Sequence, residues 1–227
     1  MKKNIVIFGS GVHSVVVFSE IIKLKNYNIL GFVDNFCNKG KKIITYKNKS
    51  YFNLGKIIDV INKKSNKKKL CGIIGVGFNY IRKKIFNEVL ALDKSFKWES
   101  IISKDSILNG NISIGEGSLI MSGVIINTET NIGKHCIINT SSSIDHHNNF
   151  LNFSSCGPGV VTGGNVTVGD STYVGIGSVI KHRVKIGKDT VIGGNSFVNK
   201  ECIDNFLYYG VPAKKIRKRS IDENNLK

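Results

Sequence analysis

Apolar residues form short runs separated by turn residues over the first hundred positions of the chain. The run at 4–8 (NIVIF) is typical of a buried strand, and the apolar stretch at about 12–25 has the length of a helix. Further runs at 29–33 and 70–74 predict strands, and the amphipathic pattern at about 79–92 predicts a helix. Because strands and helices alternate, we predict a small parallel α/β sheet.

A period of six replaces this pattern from Ile102 onward. An apolar residue recurs at every sixth position up to Val198, and only Thr162 breaks the series. A period of six does not match a helix face, so we predict a parallel β-helix in which three hexads make one 18-residue coil, with about five to six coils in all. The weakest hexads are led by Phe150, Cys156 and Thr162, and we expect an irregular coil there.

Three residues that could carry chemistry fall on one column of this predicted coil. His146, Gly164 and His182 are spaced by three hexads each, so they would stack at the strand spacing of about 4.8 Å. The Gly164 N–H could then hold a thioester carbonyl oxygen while a neutral imidazole at His146 removes a proton from an attacking amine or hydroxyl. Spacing alone leaves open the alternative that His146 is a solvated side chain.

A glycine-containing turn follows the first predicted strand. The segment 9–14 (GSGVHS) offers backbone amides and a helix amino terminus to phosphate oxygens. Ser14 stands where the dinucleotide fingerprint has its third glycine, which disfavours an NAD site. Asp34 ends the second strand, where it could accept a hydrogen bond from a ribose hydroxyl or a base edge, or lie in solvent. A tight turn without a ligand remains the alternative.

Composition excludes several classes of protein. The 227 residues are 41% hydrophobic, as in folded globular proteins, and no stretch approaches the roughly 20 apolar residues of a membrane span. The amino terminus lacks a signal-peptide pattern, so we expect a cytoplasmic protein. The cysteines are widely spaced without a CxxC pair, which predicts buried free thiols rather than a zinc or redox site. They are Cys37, Cys71, Cys136, Cys156 and Cys202.

The net charge of +17 raises the question of a nucleic-acid partner. No basic face is interleaved with aromatic residues, and the densest basic run is typical of a solvated helix end and loop. That run consists of Lys63, Lys64, Lys67, Lys68 and Lys69. We therefore predict an anionic small molecule, such as a nucleotide sugar or coenzyme A, and no nucleic acid.

Five stretches in their observed order carry a family resemblance. They are GSGVHS at 9–14, GFNYIRKK at 77–84, NTSSSIDH at 139–146, GGNV at 163–166 and GVPAK at 210–214. With the hexads, they resemble the hexapeptide-repeat acyltransferases of the sialic acid O-acetyltransferase and bacillosamine N-acetyltransferase group, which are bacterial nucleotide-sugar acetyltransferases. The resemblance implies a Rossmann-like α/β domain at 1–99 that binds the nucleotide sugar. It also implies an all-β left-handed parallel β-helix with a basic tail at 100–227.

The resemblance also implies catalytic roles. It assigns the general base to His146 and places Asn139 at the same site. Relatives often carry an acidic residue where His147 stands and a histidine where Ser155 stands. Because His147 is not an anionic partner, Asp145 or a neighbouring subunit would have to orient His146. We expect no metal, because the other histidines of the repeat lack the spacing of a three-histidine site.

Binding residues follow from the same resemblance. Those expected at coenzyme A are Gly164, Gly194, Pro212, Ala213, Lys214 and Lys215, with Arg217 as a further phosphate contact. For the segment from 210 onward, a plain terminator with a solvated basic tail is the alternative. Those expected at the nucleotide sugar are Gly9, Ser10, Gly11, His13, Asp34, Gly77 and Asn79.

The predicted activity is transfer of an acetyl group from acetyl-CoA to the amino group of a nucleotide-activated deoxyamino sugar, in surface polysaccharide biosynthesis. The amine would attack the thioester directly, without a covalent enzyme intermediate. The resemblance implies a homotrimer with the site between adjacent subunits. Two alternatives stay open: O-acetylation of a sugar or sialic acid, and a nucleotide-sugar-binding protein whose catalysis is impaired.

Overall fold

The computed structural model describes residues 2–62 and 70–223, and the chain divides into two compact units. The first unit runs to Gly77 and adds Ile81–Ile101, and the second comprises Phe78–Tyr80 and the chain from Ile102. The lysine run that we predict to be a helix end and loop, at 63–69, lies outside the described residues. Within the described ranges, no helix is long and apolar enough to cross a membrane.

The first unit is built on a parallel sheet in the order β2-β1-β5-β6. Its elements are β1 (Lys3–Phe8), α1 (Val12–Leu24), β2 (Tyr27–Val33), β3 (Lys42–Tyr46), β4 (Lys49–Phe52), α2 (Ile57–Ile61), β5 (Leu70–Ile74), α3 (Asn79–Leu92) and β6 (Lys97–Trp98). The alternation predicted from the apolar runs is thereby confirmed. The antiparallel β3–β4 hairpin, α2 and β6 were not predicted.

Strand β1 lies in the interior of this sheet, which explains its continuously apolar sequence. Its last four residues are fully buried, because both neighbouring strands and the covering core leave no side of the strand in water. Backbone hydrogen bonds from Gly9 N–H to the Val33 carbonyl and from Gly75 N–H to the Phe8 carbonyl, both 2.8 Å, join the carboxyl ends of β1, β2 and β5. The turns after these strands therefore meet at one edge of the sheet, where α/β folds bind ligands.

The second unit is a stack of short strands that are parallel up to a final antiparallel hairpin. They are β7 (Ile101–Ile102), β8 (Ile107–Leu108), β9 (Ile112–Ile114), β10 (Leu119–Ile120), β11 (Ile125–Ile126), β12 (Thr130–Ile132), β13 (Ile137–Ile138), β14 (Ser143–Ile144), β15 (Asn149–Phe150), β16 (Ser155–Cys156), β17 (Val161–Thr162), β18 (Thr167–Val168), β19 (Tyr173–Val174), β20 (Val179–Ile180), β21 (Lys185–Ile186), β22 (Val191–Ile192), β23 (Phe197–Val198), β24 (Phe206–Gly210) and β25 (Ala213–Lys218). Every third strand joins the same sheet, so that three sheets form the sides of the coil.

The strand register confirms the predicted coil of three hexads. In the eight-stranded sheet Ile120 pairs with Ile138, and Ile138 pairs with Cys156. In the six-stranded sheet Ile126 pairs with Ile144. In the five-stranded sheet Ile132 pairs with Phe150. The apolar residue of each hexad thus stacks on its counterparts in the coils above and below.

The expectation of an irregular coil around the weakest hexads is wrong. Phe150, Cys156 and Thr162 are all buried, and β15, β16 and β17 keep the regular pairing on both sides. Thr162 fits inside the coil because its Oγ1 accepts a hydrogen bond from the Asp145 N–H at 3.2 Å. A buried hydroxyl costs little once it has such a partner.

A hairpin ends the stack. Val191 of β22 pairs with Leu207 of β24, which is less than a full coil later in the chain, and β24 then turns back to pair antiparallel with β25. The hexad repeat is therefore broken at this point. The prediction of free cysteines holds for all five, and Cys37 differs from the others in being only half-buried.

Candidate active site

The column predicted from the hexad spacing lies at one corner of the β-helix. Strands β14, β17 and β20 pair in register, so that Ile144, Thr162 and Ile180 are stacked. The residues two positions later occupy equivalent places on three successive coils. A cavity of about 450 Å³ opens there, lined by Asp145, His146, Gly163, Gly164, Asn165, His182 and Arg183.

His146 is held at this corner by its neighbours in sequence. Its backbone N–H donates to Asp145 Oδ1 at 2.8 Å, and Asn127 Nδ2 donates to the same oxygen at 3.3 Å. The imidazole Nδ1 lies 3.0 Å from His147 Nδ1, and Nε2 lies 4.0 Å from Asp145 Oδ2. The side chain is 47% exposed. An imidazole in this setting is fixed in position yet open to a ligand.

Gly164 lies directly against the imidazole of His146. A Cβ atom at Gly164 would be 2.5 Å from Cε1 and 2.6 Å from Nε2 of that ring. The Gly164 carbonyl accepts from the Arg183 N–H at 2.9 Å, whereas the Gly164 N–H has no hydrogen-bond partner within 2–62 and 70–223. The corner therefore offers a basic ring nitrogen and an unused backbone donor side by side.

Gly164→Ala should abolish function without unfolding the protein. The three atoms nearest to the added methyl group all belong to the movable ring of His146, so we expect the ring to be displaced and the predicted acetyl transfer to fall by about 100-fold. The melting temperature should change by less than about 2 °C. Steady-state rates and thermal unfolding measure the two effects.

The neighbouring Gly163 provides the matched control for this prediction. A Cβ at Gly163 would lie 2.7 Å from the backbone nitrogen of His182, which cannot move without distorting the coil. Gly163→Ala should therefore lower the melting temperature by several degrees, about 1–3 kcal/mol of overpacking. A Gly164→Ala protein with the parental rate would contradict the arrangement described here.

Asn139 is not brought to His146 within one chain. It follows β13 of the eight-stranded sheet, whereas His146 follows β14 of the six-stranded sheet, so the two residues lie at different corners. The Asn139 Oδ1 accepts from the Thr140 N–H at 2.8 Å. A common site for Asn139 and His146 would need a second copy of the chain, and the predicted role of Asn139 stays a prediction.

Apart from Gly164, which lies at the His146 corner, the residues predicted to bind coenzyme A gather at the end of the stack. Gly193 N–H donates to the Tyr208 carbonyl at 2.7 Å, and Gly210 N–H donates to Ser196 Oγ at 3.2 Å, which brings the turn containing Gly194 to the β24–β25 hairpin. Pro212 lies in the hairpin turn, and Ala213 begins β25.

The basic side chains of β25 differ in their surroundings. Lys214 and Lys215 are exposed, and Lys215 Nζ lies 4.8 Å from the Phe206 ring centroid. Arg217 forms an ion pair with Glu223, with Nη1 2.9 Å from Oε2. A phosphate contact by Arg217 would therefore compete with an existing carboxylate, whereas the two lysines are open to solvent.

The turn after β1 is shaped by Asp34. Its Oδ2 accepts from the Ser10 N–H at 2.9 Å and from Ser10 Oγ at 2.6 Å, and its Oδ1 accepts from the Phe36 N–H at 2.8 Å. Gly11 is the N-cap of α1, and no side chain caps the helix there. The structure thus brings Ser10, Gly11 and Asp34 together at the sheet edge that also carries Gly9.

His13 and Gly77 also lie next to each other at this edge. A Cβ at Gly77 would be 3.9 Å from Cγ of His13. Burial, together with the nearby Arg82 guanidinium, lowers the pKa of His13 to about 4, so its ring is neutral near pH 7. Its Nε2 is buried and has no hydrogen-bond partner in the described part of the chain. A neutral ring of this kind would meet a ligand through hydrogen bonds rather than through charge.

The side chain of Asn79, predicted at the nucleotide sugar, is buried in the structure, and its role at the substrate stays a prediction. Asn79 is 1% exposed and belongs to the second unit. Its Nδ2 donates to the carbonyls of Ser171 and Thr172 at 2.9 and 3.1 Å, and its Oδ1 accepts from Ser155 Oγ at 2.8 Å. The amide is thus used for structure, and so is the hydroxyl of Ser155.

A second column of stacked residues lies beside that of His146, and it was not predicted from the sequence. Glu129, His147, Asn165 and Arg183 are spaced by the same three hexads, and each has a positive φ, between 57° and 64°. They form the next position along the corner that holds His146. The repeat arithmetic that found the first column contains this one as well.

Comparison with known proteins places the chain in a family. Residues 4–89 match the PglD N-terminal domain, and residues 165–200 match the bacterial transferase hexapeptide (six repeats). A solved structure of PerB from Caulobacter crescentus in complex with CoA and GDP-perosamine is similar with a TM-score of 0.83 at 26% identity, covering 94% of this chain and 97% of that one. The chain thus combines the two parts of the bacterial nucleotide-sugar acetyltransferases that it resembles, a PglD-type amino-terminal domain and hexapeptide repeats that form a β-helix. The resemblance inferred from the five sequence stretches is thereby confirmed, as is the predicted fold class.

Curated relatives of this acetyltransferase family match over shorter spans. GDP-perosamine N-acetyltransferase from Escherichia coli O157:H7 is 31% identical over 114 residues, which cover 45% of this chain and 52% of the relative. Chloramphenicol acetyltransferase from Klebsiella aerogenes is 37% identical over 71 residues, covering 31% of this chain and 34% of the relative. The chain thus spans about a third to a half of the length of these relatives, and both of them are acetyltransferases.

Proposed function

We propose that this protein transfers an acetyl group from acetyl-CoA to the amino group of a nucleotide-activated deoxyamino sugar. The observation that carries the proposal is the contact between the His146 imidazole and Gly164, whose N–H is unused, at the wall of an open cavity. Two relatives support the acceptor class, since one is a GDP-perosamine N-acetyltransferase and the other was solved with CoA and GDP-perosamine.

The chemistry needs one base and one donor. His146 Nε2 takes a proton from the amine as the amine nitrogen attacks the thioester carbonyl carbon. The Gly164 N–H donates to the oxygen that becomes negative in the tetrahedral intermediate. The C–S bond then breaks, and the thiolate of coenzyme A takes the proton from the His146 imidazolium. Atoms and charges balance without a covalent enzyme intermediate or a metal.

The two substrates bind through different parts of the chain in this proposal. The backbone amides at the start of α1, from Gly11 onward, bind the diphosphate, because the Gly9 and Ser10 N–H groups already donate to the Val33 carbonyl and to Asp34. The turn 9–11, His13, Asp34 and Gly77 surround the rest of the nucleotide sugar, where Asp34 accepts from a ribose hydroxyl or a base edge. The β24–β25 hairpin, with Gly194 and the exposed Lys214 and Lys215, binds coenzyme A. Because Gly194 and His146 follow strands of different sheets, a complete site takes the hairpin corner of one copy and the His146 corner of the next, as in a homotrimer.

A donor and acceptor panel tests the proposed function. Acetyl-CoA is offered with UDP, dTDP, GDP and CMP amino sugars, and release of free thiol is followed. Turnover with one amino sugar and none with its hydroxyl counterpart supports N-acetylation. Turnover only with hydroxyl acceptors would indicate O-acetylation, and binding without any turnover would indicate a nucleotide-sugar-binding protein.

Gly11→Leu should separate the two binding functions. A Cβ at Gly11 has no atom within 4 Å, and its φ of −81° suits any residue, so the variant should fold normally. The leucine side chain should obstruct the approach of a diphosphate to the backbone and weaken nucleotide-sugar binding by at least about tenfold. Calorimetry should show unchanged affinity for coenzyme A. If both affinities fell together in a folded protein, the division of binding between the two units would be refuted.

A further inference from the structure

Two imidazoles meet through the same kind of ring nitrogen at the His146 corner. Nδ1 of His146 lies 3.0 Å from Nδ1 of His147, and the ring planes are nearly perpendicular, at 88°. A neutral imidazole has one protonated nitrogen and one bare nitrogen. A hydrogen bond between these two atoms therefore requires that one Nδ1 carries the proton and that the other accepts it.

We propose that His147 is the positioning residue for His146, and that its bare Nδ1 accepts a hydrogen bond from the His146 Nδ1–H. This inference rests on the proposed function, because it concerns the state of the proposed base. With its proton held at Nδ1, His146 has its lone pair at Nε2, the nitrogen that lies against Gly164. The opposite arrangement would leave His146 with a proton at Nε2 and no basic nitrogen for the acceptor.

Asp145 cannot perform this task from where it lies. Its Oδ1 accepts from the His146 backbone N–H and from Asn127 Nδ2, and its Oδ2 is 4.0 Å from Nε2 rather than near Nδ1. The carboxylate thus stands on the side of the nitrogen that becomes protonated during transfer. There it stabilises the imidazolium by charge, while His147 sets the tautomer.

The pairing makes the base sensitive to a proton bound at either imidazole. One additional proton inactivates the pair at either site. On His146 it occupies Nε2, the nitrogen that acts as the base. On His147 it occupies Nδ1, which then donates to His146 Nδ1, so that His146 carries its own proton at Nε2. The charged and titratable neighbours are Asp145 on the same turn, Glu129 at the position of His147 on the preceding coil, and His182 and Arg183 on the following coils.

The backbone at His147 allows a matched pair of variants. Its φ is 57°, and the equivalent corner positions Phe153 and Asn165 have φ of 59° and 61°, so both asparagine and phenylalanine fit this conformation. In His147→Asn, Oδ1 stands where Nδ1 stood and keeps a neutral acceptor that does not titrate. In His147→Phe, the ring is kept and the acceptor is lost.

Kinetics on the two variants distinguish an acceptor from a merely structural side chain. We expect His147→Phe to lower kcat about tenfold and leave KM for both substrates within about twofold, while His147→Asn stays within about threefold of the parent. Equal losses in both variants would overturn the proposal.

A second measurement does not depend on turnover. The nitrogen shifts of protein with ¹⁵N-labelled histidine are recorded at a pH where both imidazoles are neutral. Under these conditions His146 should show a protonated Nδ1 and a bare Nε2. The same should hold in His147→Asn, and the preference should be lost in His147→Phe. If this pattern is found but no amino sugar is acetylated, the proposed function fails and the pairing stands. If His146 carries its proton at Nε2 in the parent, the pairing itself is refuted.

Discussion

His146→Ala should reduce acetyl transfer by at least about 100-fold, the contribution typical of a general base. The side chain is half-exposed and contacts Gly164 and its own turn, so its removal leaves no cavity in the stack of apolar residues. We therefore expect the melting temperature and the oligomeric state to stay as in the parent. Initial rates with the best acceptor of the panel, together with thermal unfolding and gel filtration, measure these three properties.

His147→Ala is the control for this experiment. This variant removes the partner of the base and not the base itself, so the rate of acetyl transfer should fall roughly tenfold. An equal loss in both variants would mean that the wrong imidazole has been chosen as the base. A His146→Ala protein that retained its rate within a few fold would end the assignment of a base at this corner.

Insertion of one residue after Asn152 should abolish transfer and damage the fold. Asn152 Oδ1 accepts from the Lys134 N–H at 2.8 Å, and its carbonyl accepts from the Ser171 N–H at 2.9 Å, so it joins three successive coils. The insertion moves Gly164 off the His146 column and exchanges the inward and outward faces of the next strand. We expect a loss of at least about 100-fold in rate, with aggregation or a lowered melting temperature.

A single glycine inserted between Lys47 and Asn48 is the matched control. These residues form the exposed turn of the β3–β4 hairpin, where a longer loop adds only a small entropy cost. This variant should keep its rate and its melting temperature. Full activity after the insertion at Asn152 would show that the spacing of three hexads between His146 and Gly164 is not required.

The β-helix was predictable because a single period governs it. The apolar residue of each hexad points inward on a coil of fixed length, so counting in steps of three hexads gives both the fold and the column of His146, Gly164 and His182. Thr162 was expected to disturb the coil, because a list of apolar positions does not show that its hydroxyl finds the Asp145 N–H. The β3–β4 hairpin is short and half-polar, and α2 has only five residues, so no strong period marks them.

The site was predictable where the repeat sets the geometry and not where it depends on particular contacts. Asn139 and His146 are little more than one hexad apart, and only whole coils place two residues on one column, so the spacing already separates them. The burial of Asn79 against Ser155, Ser171 and Thr172 joins positions that are far apart in the sequence. No local sequence pattern predicts such a contact.

The hairpin that ends the stack also closes the eight-stranded sheet of the β-helix. A coil that ended on a bare parallel strand would present unpaired N–H and C=O groups, a template on which another copy could add end to end into a filament. Here β24 is covered by the antiparallel β25, whose sequence AKKIRK leaves lysine and arginine along the last edge. The positive charge repels an identical edge, so the segment proposed to bind coenzyme A also protects this sheet against end-to-end pairing with another copy.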